Sequence, residues 1–122
     1  MQICIYGPES DHAQLMDIIH SLPTYRHWVR TCHPYANYDC FLEHLRHRPC
    51  DVVFVTENNA NGMEGVIATR NVRPELPVVW FSNDEGFGSQ AYRLNADFFH
   101  VKPLTPQVLE MALSRLARPN RQ

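Results

Sequence analysis

Asp51-Val52-Val53-Phe54-Val55-Thr56 stands between Pro49 and an asparagine-rich stretch. Its apolar residues run without alternation. A strand with one wet face would alternate, so this pattern predicts a strand covered on both sides. Pro77-Val78-Val79-Trp80-Phe81-Ser82 repeats it. Two doubly covered strands separated by a helical pattern imply a parallel sheet with helices on both faces.

Working outward, Ile3 to Tyr6 is a short strand ended by Gly7-Pro8. Leu15, Ile18, Ile19 and Leu22 then mark one face of a helix from Asp11, capped by Ser10 or Asp11 and ended by Pro23. Trp28 to Cys32 is the second predicted strand, with a turn from Pro34 to Asn37. Phe41, Leu42 and Leu45 give the next helical face, closed by Pro49. Asn58 to Gly62 favours a tight turn and left-handed backbone. A short helix is expected from Gly65 to Arg73, stopped by Pro74. Asn83 to Gly88 is a polar loop, Ser89 to Leu94 a helix and Asp97 to Val101 a fifth strand. Thr105 caps the last helix, through Leu116, with Pro106 at its first position, where a missing amide costs nothing. The expected fold is (βα)₅, a doubly wound five-stranded parallel sheet with helices on both faces. It occupies residues 1–117, with a polar tail at 118–122.

The 122 residues are 44% hydrophobic and 20% charged, with a formal charge of −2. These values suit one compact globular domain and leave no room for a recognition domain, linker and output domain together. The balance gives no charge-based reason to expect nucleic-acid or membrane binding. No apolar run is long enough to span a bilayer, and no signal peptide is evident. The expected location is the cytoplasm, with the four cysteines reduced.

In open parallel sheets ligands bind beyond the carboxyl ends of the strands. Those ends carry a resemblance. Gly62-Met63-Glu64-Gly65, then Arg70 to Arg73, then Leu76 to Ser82, are similar to the receiver domains of two-component response regulators. Ala91 to Ala96 followed by Phe99-His100-Val101-Lys102-Pro103-Leu104 is the second match, and it covers the far end of the chain. Asn95 in place of a usual glycine resembles the LytTR-type, DNA-binding regulators. The resemblance implies a cis Lys102-Pro103 bond and phosphoryl transfer to an aspartate beside Mg²⁺. Carboxylates attract a hard divalent ion, the ion screens phosphoryl charge, and lysine neutralises the rest.

Carried over residue by residue, the pattern splits. Lys102, Ser82 and Phe99 match the lysine, hydroxyl and aromatic positions, and Pro103 the following proline. The acid-pair positions hold Gly7 and Pro8, with only Glu9 acidic. The phospho-acceptor position falls on Thr56 or, with a one-residue shift, Glu57. Asp11 lies too far into the helix cap for a metal ligand. The expectation is therefore a degenerate pseudo-receiver that is not an enzyme, needs no cofactor, binds no Mg²⁺ or other metal and accepts no phosphoryl group. Lys102 is either a solvated remnant or the partner of Glu57 in a standing mimic of the activated state. Ser82 is expected to satisfy local backbone, and Phe99 to pack rather than switch.

His27, Cys32, His33, Cys40, His44, His47 and Cys50 lie close together in sequence. Cys40 and His44 share a helix face, but no tight Cys-x-x-Cys pair exists. His44 and His47 are expected towards solvent. The function expected is phosphorylation-independent protein interaction or dimerisation in two-component signalling, through the Ser89–Leu116 face. One alternative is the regulatory part of a transcriptional regulator whose DNA-binding output domain lies outside these residues. A lesser one is a metal or redox sensor, or a small-ligand binder.

Overall fold

The computed structural model describes residues 1–117. The expected tail at 118–122 lies outside them. The elements are β1 (Gln2–Tyr6), α1 (Glu9–Ser21), β2 (Thr31–Tyr35), α2 (Tyr38–His47), β3 (Val52–Val55), α3 (Asn59–Val72), β4 (Val78–Ser82), α4 (Gly88–Arg93), β5 (Phe98–Val101) and α5 (Pro106–Ala117). A 3₁₀ turn at Glu85–Phe87 leads into α4. The five strands form one parallel sheet in the order β2-β1-β3-β4-β5. The chain therefore has the doubly wound flavodoxin-like fold expected from its sequence.

Two cores sandwich the sheet. Ile3, Ile5, Phe54 and Phe81 face α1 and α5, where they meet Leu15, Ile19, Leu109 and Leu113. Cys4, Tyr6, Val53, Val55 and Trp80 face the other way, against Phe41, Leu45, Val66 and Ala91. Every residue of β3 and β4 is buried, which is why neither strand alternates in sequence.

Several boundaries differ from expectation. β2 begins at Thr31 rather than Trp28. Trp28 and Val29 instead donate their backbone N–H groups to the Tyr25 carbonyl, and their side chains cover the first core. β2 is an edge strand that includes Pro34. The Tyr35 carbonyl accepts from Gly7 N at 3.0 Å, so the alternate residue Pro34 turns its backbone away from β1, where a missing donor breaks no ladder bond. α1 begins at Glu9 behind an N-cap at Pro8 with no side-chain cap bond, so neither Ser10 nor Asp11 caps it. α3 starts six residues before the expected Gly65, at Asn59, which takes the left-handed conformation (φ 56°) at the helix entrance.

Other local readings hold. Thr105 Oγ1 accepts from Val108 N at 3.2 Å, capping α5. Asn95 is left-handed (φ 57°) at the end of α4, and Lys102-Pro103 is cis.

Arg70 ties α3 to the connection between α4 and β5. Its guanidinium donates to the carbonyls of Leu94, Pro74, Leu76 and Asn95 and to the Asp97 carboxylate. A lysine is a single point donor and cannot reproduce this fork. Arg70→Lys is expected to lower the unfolding free energy by about 1–2 kcal/mol in urea titration. An unchanged midpoint would mean that the fork contributes nothing.

Candidate functional site

The order β2-β1-β3 reverses direction at β1, and the crevice beyond β1 and β3 is where such sheets bind ligands. Gly7 and Pro8 leave β1 there, Thr56 to Asn58 leave β3, and Lys102 leaves β5. Thr56 N donates to the Tyr6 carbonyl at 2.8 Å and extends the ladder one residue beyond Val55. This puts the Thr56 side chain, fully buried, over Gly7. A Cβ on Gly7 would overlap the Thr56 hydroxyl and stand 3.0 Å from Thr56 Cβ. That hydroxyl has no partner among the described residues.

Of the two residues left open at the end of β3, Thr56 points into the sheet and Glu57 stays half-buried above it. Glu57 does not pair with Lys102. Its carboxylate accepts from the next backbone amide, Asn58 N, at 3.1 Å. Lys102 Nζ instead donates to Asp11 Oδ2 at 2.7 Å and to Asn58 Oδ1 at 2.8 Å. Nor is Lys102 a solvated remnant, because the side chains of the ion pair are only 17% and 13% exposed.

Asp11 is the residue that sequence reasoning set aside. With α1 starting at Glu9, Asp11 falls in the first helical turn, where it faces the crevice rather than closing the helix. A carboxylate there is also favoured by the positive end of the helix dipole. Glu9, the one acid expected near the site, is exposed.

Ser82 is fully buried, and its hydroxyl accepts from Asp84 N at 3.1 Å. Phe99 packs edge-to-face on Trp80, with ring centroids 5.2 Å apart. Tyr6, below the crevice, has its phenol pushed above the usual range by burial and then by the Glu57 charge.

A second cluster lies under α2. Cys4, His44 and Cys50 are all buried. His44 thus does not face solvent as expected, whereas His47 does, beside Glu43. Burial pushes the His44 imidazole below its ordinary range. The Cys4 thiol is pushed up by its hydrogen bond with Cys50 and by burial, and the same bond draws Cys50 down. Cys40, predicted on the same face as His44, is exposed.

No protein-family model matches the chain, and no curated protein sequence does. Solved structures do match. One is the N-terminal signal receiver domain of a two-component response regulator from Bacteroides fragilis, at TM-score 0.75 and 19% identity over 96% of this chain and 97% of that one. Another is a CheY-like response regulator receiver domain from Methylobacillus flagellatus, at TM-score 0.74 and 20% identity over 93% and 96%. The pilus assembly protein CpaE from Caulobacter crescentus aligns at TM-score 0.73 and 16% identity, over 94% and 98%. The chain shares the receiver-domain fold. That fold serves more than one purpose among these structures, so function must be argued from the site.

Proposed function

We propose that this chain is a pseudo-receiver in two-component signalling, a cytoplasmic binding module that works without aspartyl phosphorylation and without Mg²⁺. The observation that carries this is the state of Lys102. Its ammonium is already matched by Asp11 and Asn58, while Thr56, not a carboxylate, fills the space above Gly7. Aspartyl phosphorylation needs an aspartate carboxylate as acceptor and further carboxylates to hold the ion. Gly7, Pro8 and Thr56 supply neither, and a threonine hydroxyl is no substitute for aspartate.

Incubation with acetyl phosphate and Mg²⁺ is expected to add no mass to the protein. An acid-labile gain of one phosphoryl group, at Glu57 or elsewhere, would overturn the proposal.

The surface that meets a partner, or a second copy, is the one made by α4, β5 and α5. Among the described residues, Tyr92 on α4 and Met111 on α5 are the large hydrophobic side chains left most exposed, at 85% and 54%. Both fall within the Ser89–Leu116 face. Introducing charge there, as Tyr92→Glu with Met111→Glu, is expected to weaken self-association at least about tenfold in sedimentation experiments, since desolvating an unpaired carboxylate opposes contact. Association unchanged by both substitutions would exclude this face.

A further inference from the structure

The buried cluster under α2 belongs to the opposite end of the sheet from Lys102, because Cys50 precedes β3 whereas Lys102 follows β5. A nitrogen of His44, Cys4 Sγ and Cys50 Sγ all lie within 4.8 Å of one another. Tetrahedral Zn²⁺ with ordinary Zn–S and Zn–N bonds holds its ligand atoms about 3.5–4 Å apart. A contraction of about an ångström therefore turns the cluster into a coordination sphere. The ligands come from three places, β1, α2 and the turn before β3.

A fourth ligand is at hand. His33 is the register partner of Cys4 across the β1–β2 pair, and its ring lies 4.9 Å, centroid to centroid, from that of His44. Among the described residues its Nε2 is held only by Gln2 Oε1, at 3.3 Å.

We propose that Cys4, His44 and Cys50 bind Zn²⁺, with His33 turning to complete a Cys₂His₂ site. Charge selects this ion over Cu⁺. Two thiolates neutralise a divalent cation, so the filled site is uncharged, whereas two thiolates on a monovalent ion would bury a net negative charge. Binding releases two thiol protons, one of them the proton that Cys50 now donates to the Val52 carbonyl at 3.2 Å. The outer contacts that orient a metal-bound imidazole are also present. Tyr35 Oη lies 2.8 Å from His44 Nδ1, and the Pro49 carbonyl lies 3.1 Å from Nε2. The nitrogen that takes the ion gives up its contact, and the other keeps its own and fixes the ring.

The test is titration of the reduced, chelator-treated chain with Co²⁺ as a visible stand-in, followed by Zn²⁺. One equivalent of Co²⁺ is expected to produce thiolate-to-metal charge-transfer absorption and the intense visible bands of a tetrahedral centre, and Zn²⁺ to bleach both. Cys50→Ser is expected to weaken binding at least about a hundredfold, beyond the loss typical of an outer-shell change. Cys40→Ser, at the exposed thiol, should leave it unchanged. Absence of the charge-transfer band, or its survival in Cys50→Ser, would overturn the proposal. X-ray absorption on the unmutated zinc-loaded chain gives a readout that does not depend on a variant folding. Two sulfur and two nitrogen neighbours are expected, and a shell without sulfur would equally overturn it.

Discussion

Gly7→Ala is expected to destabilise the domain by about 2–3 kcal/mol, the upper range for forcing extra volume into a packed site. The added methyl would meet the Thr56 hydroxyl, and Thr56 cannot withdraw. Its backbone N–H is bound to the Tyr6 carbonyl, and its carbonyl carbon would also lie 3.1 Å from the new atom. Thr56→Ala alone is expected to cost about 1 kcal/mol or less. It removes a buried methyl but also a hydroxyl with no partner among the described residues, and the two effects oppose. Combined with Gly7→Ala it should restore most of the lost stability, giving a coupling of about 1–2 kcal/mol in a double-mutant cycle by chemical denaturation. Strict additivity would show that the two residues do not contend for one space. A side chain larger than hydrogen at position 7 is therefore incompatible with Thr56, so the residues acceptable at the two positions depend on each other.

The second large effect is expected at the Asp11–Lys102 pair. Lys102→Met should lower stability by about 2–3 kcal/mol because it strands a mostly buried carboxylate. Fully buried pairs lose more, and the remaining exposure of these two reduces the figure. Asp11→Ala strands the ammonium in the same way, with Asn58 Oδ1 as its one remaining partner among the described residues. The double variant Asp11→Ala with Lys102→Met should be less destabilised than either single change. Equal losses in all three would mean that side-chain volume, not charge pairing, sets the cost. The measurement is again the urea midpoint, made at moderate salt. Because the pair is sheltered, added salt should change the result little.

The fold was legible because its strongest signals are local. Asp51 to Thr56 and Pro77 to Ser82 carry the apolar runs of doubly covered strands, and prolines mark most helix ends. β2 starts at Thr31, later than its sequence pattern indicates, for a tertiary reason. Trp28 and Val29 look like strand residues, yet they are used to cover the outer side of the first core, and the edge strand that follows is short and half exposed. Asp11 was missed because its role depends on a contact 91 residues away and on α1 starting two residues early. His44 had a readable signal. It lies three residues after Phe41 and one before Leu45, on the same helical face, and that spacing alone predicts burial. Its sequence neighbours Arg46 and Arg48 are exposed and obscure that pattern. Cys4 could not be joined to Cys50 without knowing that β1 and β3 are neighbours.

Pro34 has a further effect at the open margin of the sheet. Backbone groups of the edge strand β2 alternate in direction, and those of Cys32 and Pro34 turn away from β1. Of these two, only Cys32 carries an N–H. A strand arriving from another molecule would find one donor where continued pairing needs a regular series, so ribbon-like growth stops at its first rung. Sheet-to-sheet pairing along β2 is thereby disfavoured, and the self-association proposed above through α4, β5 and α5 would be free to close as a pair instead of propagating.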